Sequence, residues 1–277
     1  MNEGNNKRPR ISCMTLSNRY GGVDIMWANL LRQEFADWEW IFVDGLYDYR
    51  AKEVAEYTNN DSRVKHIKQS SIREGAYTNL AHADNEGFKA CSGDLIVCLQ
   101  DYQWILPSGF TKYWLIYEKD PKALVTGFGH HYSDPRPVDP KGKITVFDKP
   151  FTSRPSNLSW SDPRPGSELR RAEPVEWEMS WCSLPRQVIY DIGGMDEQFD
   201  YEGFAWDNTY IAYKAKLNGS NIYLDPTNEV MGFDHDLWWP NPLKENRISP
   251  AKYFHEKVQK MMDGNIPAKD EYLSNNA

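Results

Sequence analysis

Four polar side chains stand where short apolar runs of this 277-residue chain stop. Thr15 and Ser17 close the run ISCMTLS, Asp44 ends WEWIFVD, and Asp101 follows DLIVCL after a single glutamine. In an open α/β sheet a ligand binds beyond the carboxyl ends of the strands. If these runs are strands, the four groups share the ligand end of the molecule. Two hydroxyls and two carboxylates there offer acceptors to a polar ligand, the carboxylates as acceptors only. Further on, Asp207 opens the periodic stretch NTYIAYKAKL, with Trp206 before it and Glu202 nearby. An aspartate at that place caps a helix or takes a proton from a neighbouring hydroxyl.

The elements that must position these groups follow from apolar spacing. Ile11–Leu16, Trp40–Val43, Arg63–Ile67 and Asp94–Leu99 read as strands. Helical spacing begins after Gly21-Gly22, over VDIMWANLLRQEF, and recurs over 50–58, Tyr77–Cys91 and Asp207–Leu217. The last strand, DLIVCL, is apolar enough to be buried on both faces. Strand and helix in alternation imply parallel β-α-β units. Residues 130–172 carry many prolines and little periodicity, and read as a long loop insertion, either an acceptor-binding lid or a surface excursion. Order returns over Val175–Cys182, a short helix covers Pro185–Tyr190, Ile222–Leu224 is a last short strand, and 250–262 is a closing helix. His130 and His131 are adjacent, so on a strand they point to opposite faces and do not share a metal.

Composition limits the function. Eleven tryptophans and sixteen tyrosines argue for a folded chain. A formal charge of −8 argues against a general polyanion binder. Cys13, Cys91, Cys98 and Cys182 match no zinc spacing and read as buried thiols of a reducing compartment, so the cytoplasm is expected. No apolar run reaches the roughly 18 residues of a membrane span, and the first residues lack the apolar stretch of a signal peptide.

Five segments, in order, resemble glycosyltransferase family 2 and its GT-A relatives, including galactosyltransferase-like members, across about residues 10–236. These are ISCMTLSNRYGG, WEWIFVDG, NEGFKACSGDLIVCLQDYQWILP, SLPRQVIYDIGGMDEQF and AWDNTYIAYKAKLNG. The resemblance implies an α/β, GT-A-like (Rossmann-like) domain with a mostly parallel central sheet flanked by helices. It would span 10–264, with a nucleotide-sugar-binding half at 10–127 and an acceptor and catalytic half at 128–264. Residues 1–9 and 265–277 would be tails. The implied activity is inverting transfer of a sugar from a nucleotide-sugar, a UDP-sugar by family habit, to an acceptor hydroxyl. Thr15 and Ser17 would contact the nucleoside, Asp44 the uracil N–H, Asp101 the ribose and metal, and Asp207 would be the base. Trp206 would stack on a sugar, and in the metal-independent alternative cations such as Arg73 or Lys68 would lie near the diphosphate. His235 resembles a metal-ligating histidine of galactosyltransferase-like members, which with Asp101 implies a Mn²⁺ or Mg²⁺ site.

The departures leave alternatives open. The family places two or more carboxylates around the Asp101 position, whereas this chain has Gln100, Tyr102 and Gln103. A register that aligns Lys214 with a common arginine puts Asn208 in the base position, beside Asp207. A binding module that has lost its chemistry and a sugar-phosphate nucleotidyltransferase are the competing readings. The acceptor is left open among a glycan, another hydroxyl compound and a modified DNA base, which inside a duplex has to be extruded.

Overall fold

The computed structural model describes residues 9–133, 141–145, 157–203, 205–234 and 250–273. Its first half alternates as expected: β1 (Ile11–Ser17), α1 (Val23–Leu31), β2 (Trp38–Asp44), α2 (Tyr47–Tyr57), β3 (Val64–Lys68), α3 (Leu80–Ala90) and β4 (Leu95–Leu99). There follow β5 (Gln103–Ile105), α4 (Gly109–Lys119), β6 (Leu124–Ser133), β7 (Leu158–Ser161) and β8 (Arg170–Arg171). A 3-10 turn (Pro174–Glu176) precedes β9 (Trp181–Pro185), α5 (Arg186–Asp191), α6 (Phe199–Glu202), α7 (Asp207–Leu217), β10 (Ile222–Asp234) and α8 (Ala251–Met262).

The ten strands among the described residues form one mixed sheet, in the order β3-β2-β1-β4-β9-β6-β10-β5, with β7 on β6 and β8 on β10. β1 pairs in parallel with β2 and β4, and β2 with β3. β9 is antiparallel to both β4 and β6, and β6 is parallel to β10. β1 to β4, β6 and β10 therefore run one way, and their carboxyl ends lie on one edge.

Period-two alternation sorts the side chains into two layers. Ile11, Cys13, Leu95, Val97 and Leu99 pack toward α1 and α4, with Val23, Met26, Leu30, Phe110 and Tyr113. Met14, Ile96 and Cys98 pack the other way, with Phe88, Val188, Ile211 and Ala215 from α3, α5 and α7. β2 and β4 are buried along their whole length, as strands covered on both faces must be.

Three expectations are corrected. β10 is thirteen residues long, not three. Its register against β6 shifts across Asp225-Pro226-Thr227-Asn228, between Leu224 and Glu229, and pairing resumes beyond the shift. The expected loop over 130–172 holds the end of β6, then β7 and β8. β7 has four exposed side chains and one neighbouring strand, so no apolar alternation marks it. α3 also begins later than Tyr77: the N–H groups of Tyr77 and Thr78 donate to the Asp200 carbonyl, and helical bonding starts after Asn79.

Residues 265–273, read as a tail, lie against the domain. The Asp270 and Leu273 N–H groups donate to the carbonyls of Ile192 and Gly193, and Leu273 is buried in the core. Buried Lys214 donates to the Asp270 carboxylate at 2.7 Å and to the carbonyls of Ile192 and Gly194. Gly193 has φ +76 and passes so close to Asp270 that a Cβ there would lie 1.6 Å from its carbonyl oxygen, a position only glycine fills.

Candidate functional site

The carboxyl ends of β1, β2 and β4 carry one polar cluster. Its centre is Arg50, a wholly buried guanidinium on α2. It grips Asp44 with two parallel bonds of 2.8 Å and reaches Ser17 Oγ at 3.1 Å. It also donates to the carbonyls of Arg19 and Gly21, both at 3.0 Å. Ser17 Oγ donates in turn to Asp101 Oδ2 at 2.7 Å, and Arg19 covers both oxygens of Asp101. His66 Nε2 and the Leu46 N–H complete Asp44, each at 2.8 Å. Burial alone raises the Asp44 carboxyl, but the hydrogen bonds from His66 and Arg50 outweigh it and hold the group below the usual aspartate range.

The structure thus brings together three of the sequence's candidates, Ser17, Asp44 and Asp101. Thr15 lies on the same strand but turns inward, where its Oγ1 accepts from Trp40 Nε1 at 3.1 Å. Arg19 and Arg50 were not singled out in the sequence. A signal for Arg50 exists: on α2 the buried positions are Arg50 and Val54, one turn apart on one face. The loop before α1 is closed by 141–145, where the carbonyls of Gly142 and Ile144 accept from the N–H groups of Gly21, Val23 and Asp24. Those of Val23 and Asp24 are donors that a helix start leaves without intrahelical partners.

The second cluster surrounds the start of α7. Arg73 binds Glu197 at 2.5 Å and Asp200 at 3.0 Å, which places it on α6 rather than beside Asp101. Asp200 also accepts from Thr78 Oγ1 and from the N–H groups of Ala81 and His82, so α6 caps α3 from outside. Asp207 occupies the first turn of α7. Desolvation, helped by the negative charges of Asp200 and Glu178 and opposed by the Asn208 N–H, pushes its carboxyl up to about 6. Asp84, buried on α3, is raised well above the ordinary value by burial and then by Asp207 and Asp200. Asn208 Nδ2 lies 3.5 Å from Glu178 Oε1, a carboxylate also held by Ser180. Trp206 sits in the left-handed region at φ 72 and rests its ring on Phe254 and His255 of α8, at 4.7 and 5.5 Å. Lys68 pairs with Asp48. His235 lies outside the described residues.

The described residues do not fit a divalent ion as they stand. Such ions take several oxygen ligands, and Asp101 offers one carboxylate whose two oxygens already accept from Arg19. No group of three or more His, Cys, Asp or Glu that could hold a metal occurs among the described residues.

An α/β sheet with a polar cluster beyond the carboxyl ends of β1, β2 and β4 is the arrangement that the sequence implied. The sequence profile of Glycosyl transferase family 2 matches residues 13–176, and the chain belongs to that family. It is 28% identical over 176 residues to the O-antigen biosynthesis protein RfbC of Myxococcus xanthus, a match covering 62% of this chain and 12% of that protein. Among solved structures, TarS 1-349 of S. aureus in complex with UDP-GlcNAc superposes with a TM-score of 0.61 at 11% identity, covering 95% of this chain and 68% of that one. The same protein in complex with UDP gives 0.57 at 10% identity, covering 81% and 60%. GalNAc-T7 with UDP, GalNAc and Mn²⁺ gives 0.59 at 15% identity, covering 93% and 50%. These likenesses bear out the GT-A fold. No helix among the described residues is long and apolar enough to cross a membrane.

Proposed function

We propose that this chain transfers a sugar from a UDP-sugar to an acceptor hydroxyl, with inversion at the anomeric carbon. The observation that carries the reading is the cluster of Ser17, Asp44, Arg50, Asp101 and Arg19 at the carboxyl ends of β1, β2 and β4. In this reading the uridine lies against Ser17 and Asp44, with its imide N–H taking the place of His66 on Asp44 Oδ2. Asp101 receives the ribose. Thr15 and Arg73 act from behind: Thr15 fixes Trp40 under the site, and Arg73 fixes α6.

Asp207 is the base. It takes the proton of the acceptor hydroxyl as that oxygen bonds to the anomeric carbon. The bond from that carbon to the diphosphate breaks, and its electron pair leaves with UDP. A carboxyl poised near 6 is ionised at neutral pH and still basic enough to accept a proton. Asn208, which the register aligning Lys214 with a common arginine puts in the base position, cannot do this, and its contact to Glu178 gives it a positioning role. Trp206, the residue before Asp207, packs its ring on α8 and so supports the base. A reducing compartment, the cytoplasm, accords with four free and buried thiols.

Calorimetric titration with UDP, with and without Mn²⁺, tests the donor site. We expect Asp101→Asn to weaken UDP. Arg19→Ala should increase the effect of Mn²⁺ on UDP affinity, since it frees Oδ1 of Asp101 and leaves Oδ2 bonded only to Ser17. Absence of UDP binding by the unaltered protein refutes the donor assignment. An Mn²⁺ effect that Arg19→Ala leaves unchanged refutes the sharing of Asp101 between the guanidinium and an ion.

A further inference from the structure

Beside the second cluster, and sharing Glu178 with it, lies a cavity of about 480 Å³ between β6, β7 and the strand entry at β9, within the size range of small-ligand sites. Its walls are aromatic. Trp160, from the exposed strand β7, faces Trp181 at 6.4 Å, and His131 sets its edge against both, at 5.2 and 6.2 Å. Trp177 completes the lining. Strand pairing builds this corner: His131 is the register partner of Trp160. Gly129 leaves room for Trp181, whose ring a Cβ at that position would approach to 2.6 Å. Trp160 keeps 43% of its surface exposed, and Trp181 keeps 8%. A large exposed indole beside a buried one marks a binding face more than a core.

The polar rim indicates the kind of ligand. Arg164 lines the cavity, but its nitrogens already donate to Asp162, Thr126 Oγ1 and the carbonyls of Glu176 and Gly127. Glu176 is paired with Arg170. Among the described residues of the rim, the charge left over is that of Glu178. Its Oε1 takes the donors of Ser180 and Asn208, and no donor among the described residues reaches Oε2. A rim whose unpaired charge is negative repels phosphate and nucleic acid. Indole faces with a carboxylate acceptor suit a neutral polyol, whose C–H faces lie on the rings while its hydroxyls donate.

The position fits an acceptor. Glu178 belongs to the cavity and touches Asn208, the neighbour of Asp207 in the first turn of α7. We propose that this cavity is the acceptor subsite and that the acceptor is a neutral carbohydrate, a pyranose ring lying on Trp160 and Trp181 with a hydroxyl donating to Glu178. This rests on the glycosyltransferase reading above and names its second substrate. Of the acceptors the sequence left open, it selects the glycan over a DNA base.

The experiment uses the whole chain with two variants, Trp160→Ala, which removes an exposed side chain, and Glu178→Gln, which keeps the shape. Saturation-transfer NMR is run against a set of methyl pyranosides and short oligosaccharides, with hydroxymethylated duplex DNA as comparison. UDP calorimetry is run on each protein in parallel. A saccharide is expected to bind the unaltered protein with transfer from indole protons. Trp160→Ala should weaken it about tenfold, equivalent to about 1.4 kcal/mol, Glu178→Gln should weaken it several-fold, and UDP affinity should stay unchanged in both. Binding of UDP with no saccharide bound overturns the inference and leaves the donor reading standing. So does saccharide binding that ignores both variants, or binding of the DNA instead. Loss of UDP binding by the unaltered protein marks failure of the underlying reading.

Discussion

Replacing Asp207 by asparagine should make the protein more stable at neutral pH, and the size of the gain follows from its surroundings. The carboxyl is raised from 3.8 to about 6, chiefly by desolvation, with Asp200 and Glu178 adding to it. The folded protein therefore holds the proton more tightly than the unfolded chain. The resulting stability is complete below the unfolded value, near 4, and is lost as pH rises through about 6. About two pH units at roughly 1.4 kcal/mol each make about 3 kcal/mol. Urea unfolding of both proteins at intervals from pH 4 to pH 8 measures this. Asp207→Asn should gain about 3 kcal/mol on the unaltered protein between those limits, mostly between pH 4 and 6, with a flat difference above. Asp84 is raised by the same neighbour, so the curve reports the interacting pair. Parallel curves, or a difference that grows only above pH 7, would refute the desolvated carboxylate. With it would fall the argument for a base poised near neutrality, whose rate profile should show an acid limb centred near pH 6.

Arg50→Met removes the partner of a wholly buried aspartate and should cost about 3 to 5 kcal/mol in urea unfolding. Adding Asp44→Asn should recover part of that, and a double variant no more stable than the single one would contradict the pairing. Gly193→Ala puts a Cβ at φ +76 onto the Asp270 carbonyl. It should cost more than about 1 kcal/mol and speed hydrogen exchange at the Asp270 and Leu273 amides. Unchanged exchange would mean that residues 265–273 are held by other contacts.

The first half of the fold was legible because its strands are short, apolar and separated by helical spacing: β1, β2 and β4 lie within two residues of their expected limits. α7 runs over Asp207–Leu217 as expected. The second half was harder for physical reasons. Half of β10 lies beyond a proline-containing bulge, and β7 is paired but exposed, so neither carries an unbroken pattern. The placement of Ser17, Asp44 and Asp101 at one edge could be read from the ends of apolar runs. Their partners could not, because Arg19 and Arg50 reach them through side chains from a loop and a helix face. Glu178 was invisible for the same reason: its meaning comes from Asn208, thirty residues on, and from a strand pairing that brings Trp160 to β6.

The four cysteines give the sheet a built-in clock. Cys98 and Cys182 are register partners across the seam where β4 meets the reversed strand β9, and Cys13 and Cys91 are buried beside them in the two layers. Burial pushes the thiols of Cys13, Cys91 and Cys98 well up, and the thiolate is the form that an alkylating reagent attacks. Labelling of Cys98 and Cys182 therefore requires the pairing of β4 with β9 at the centre of the sheet to open.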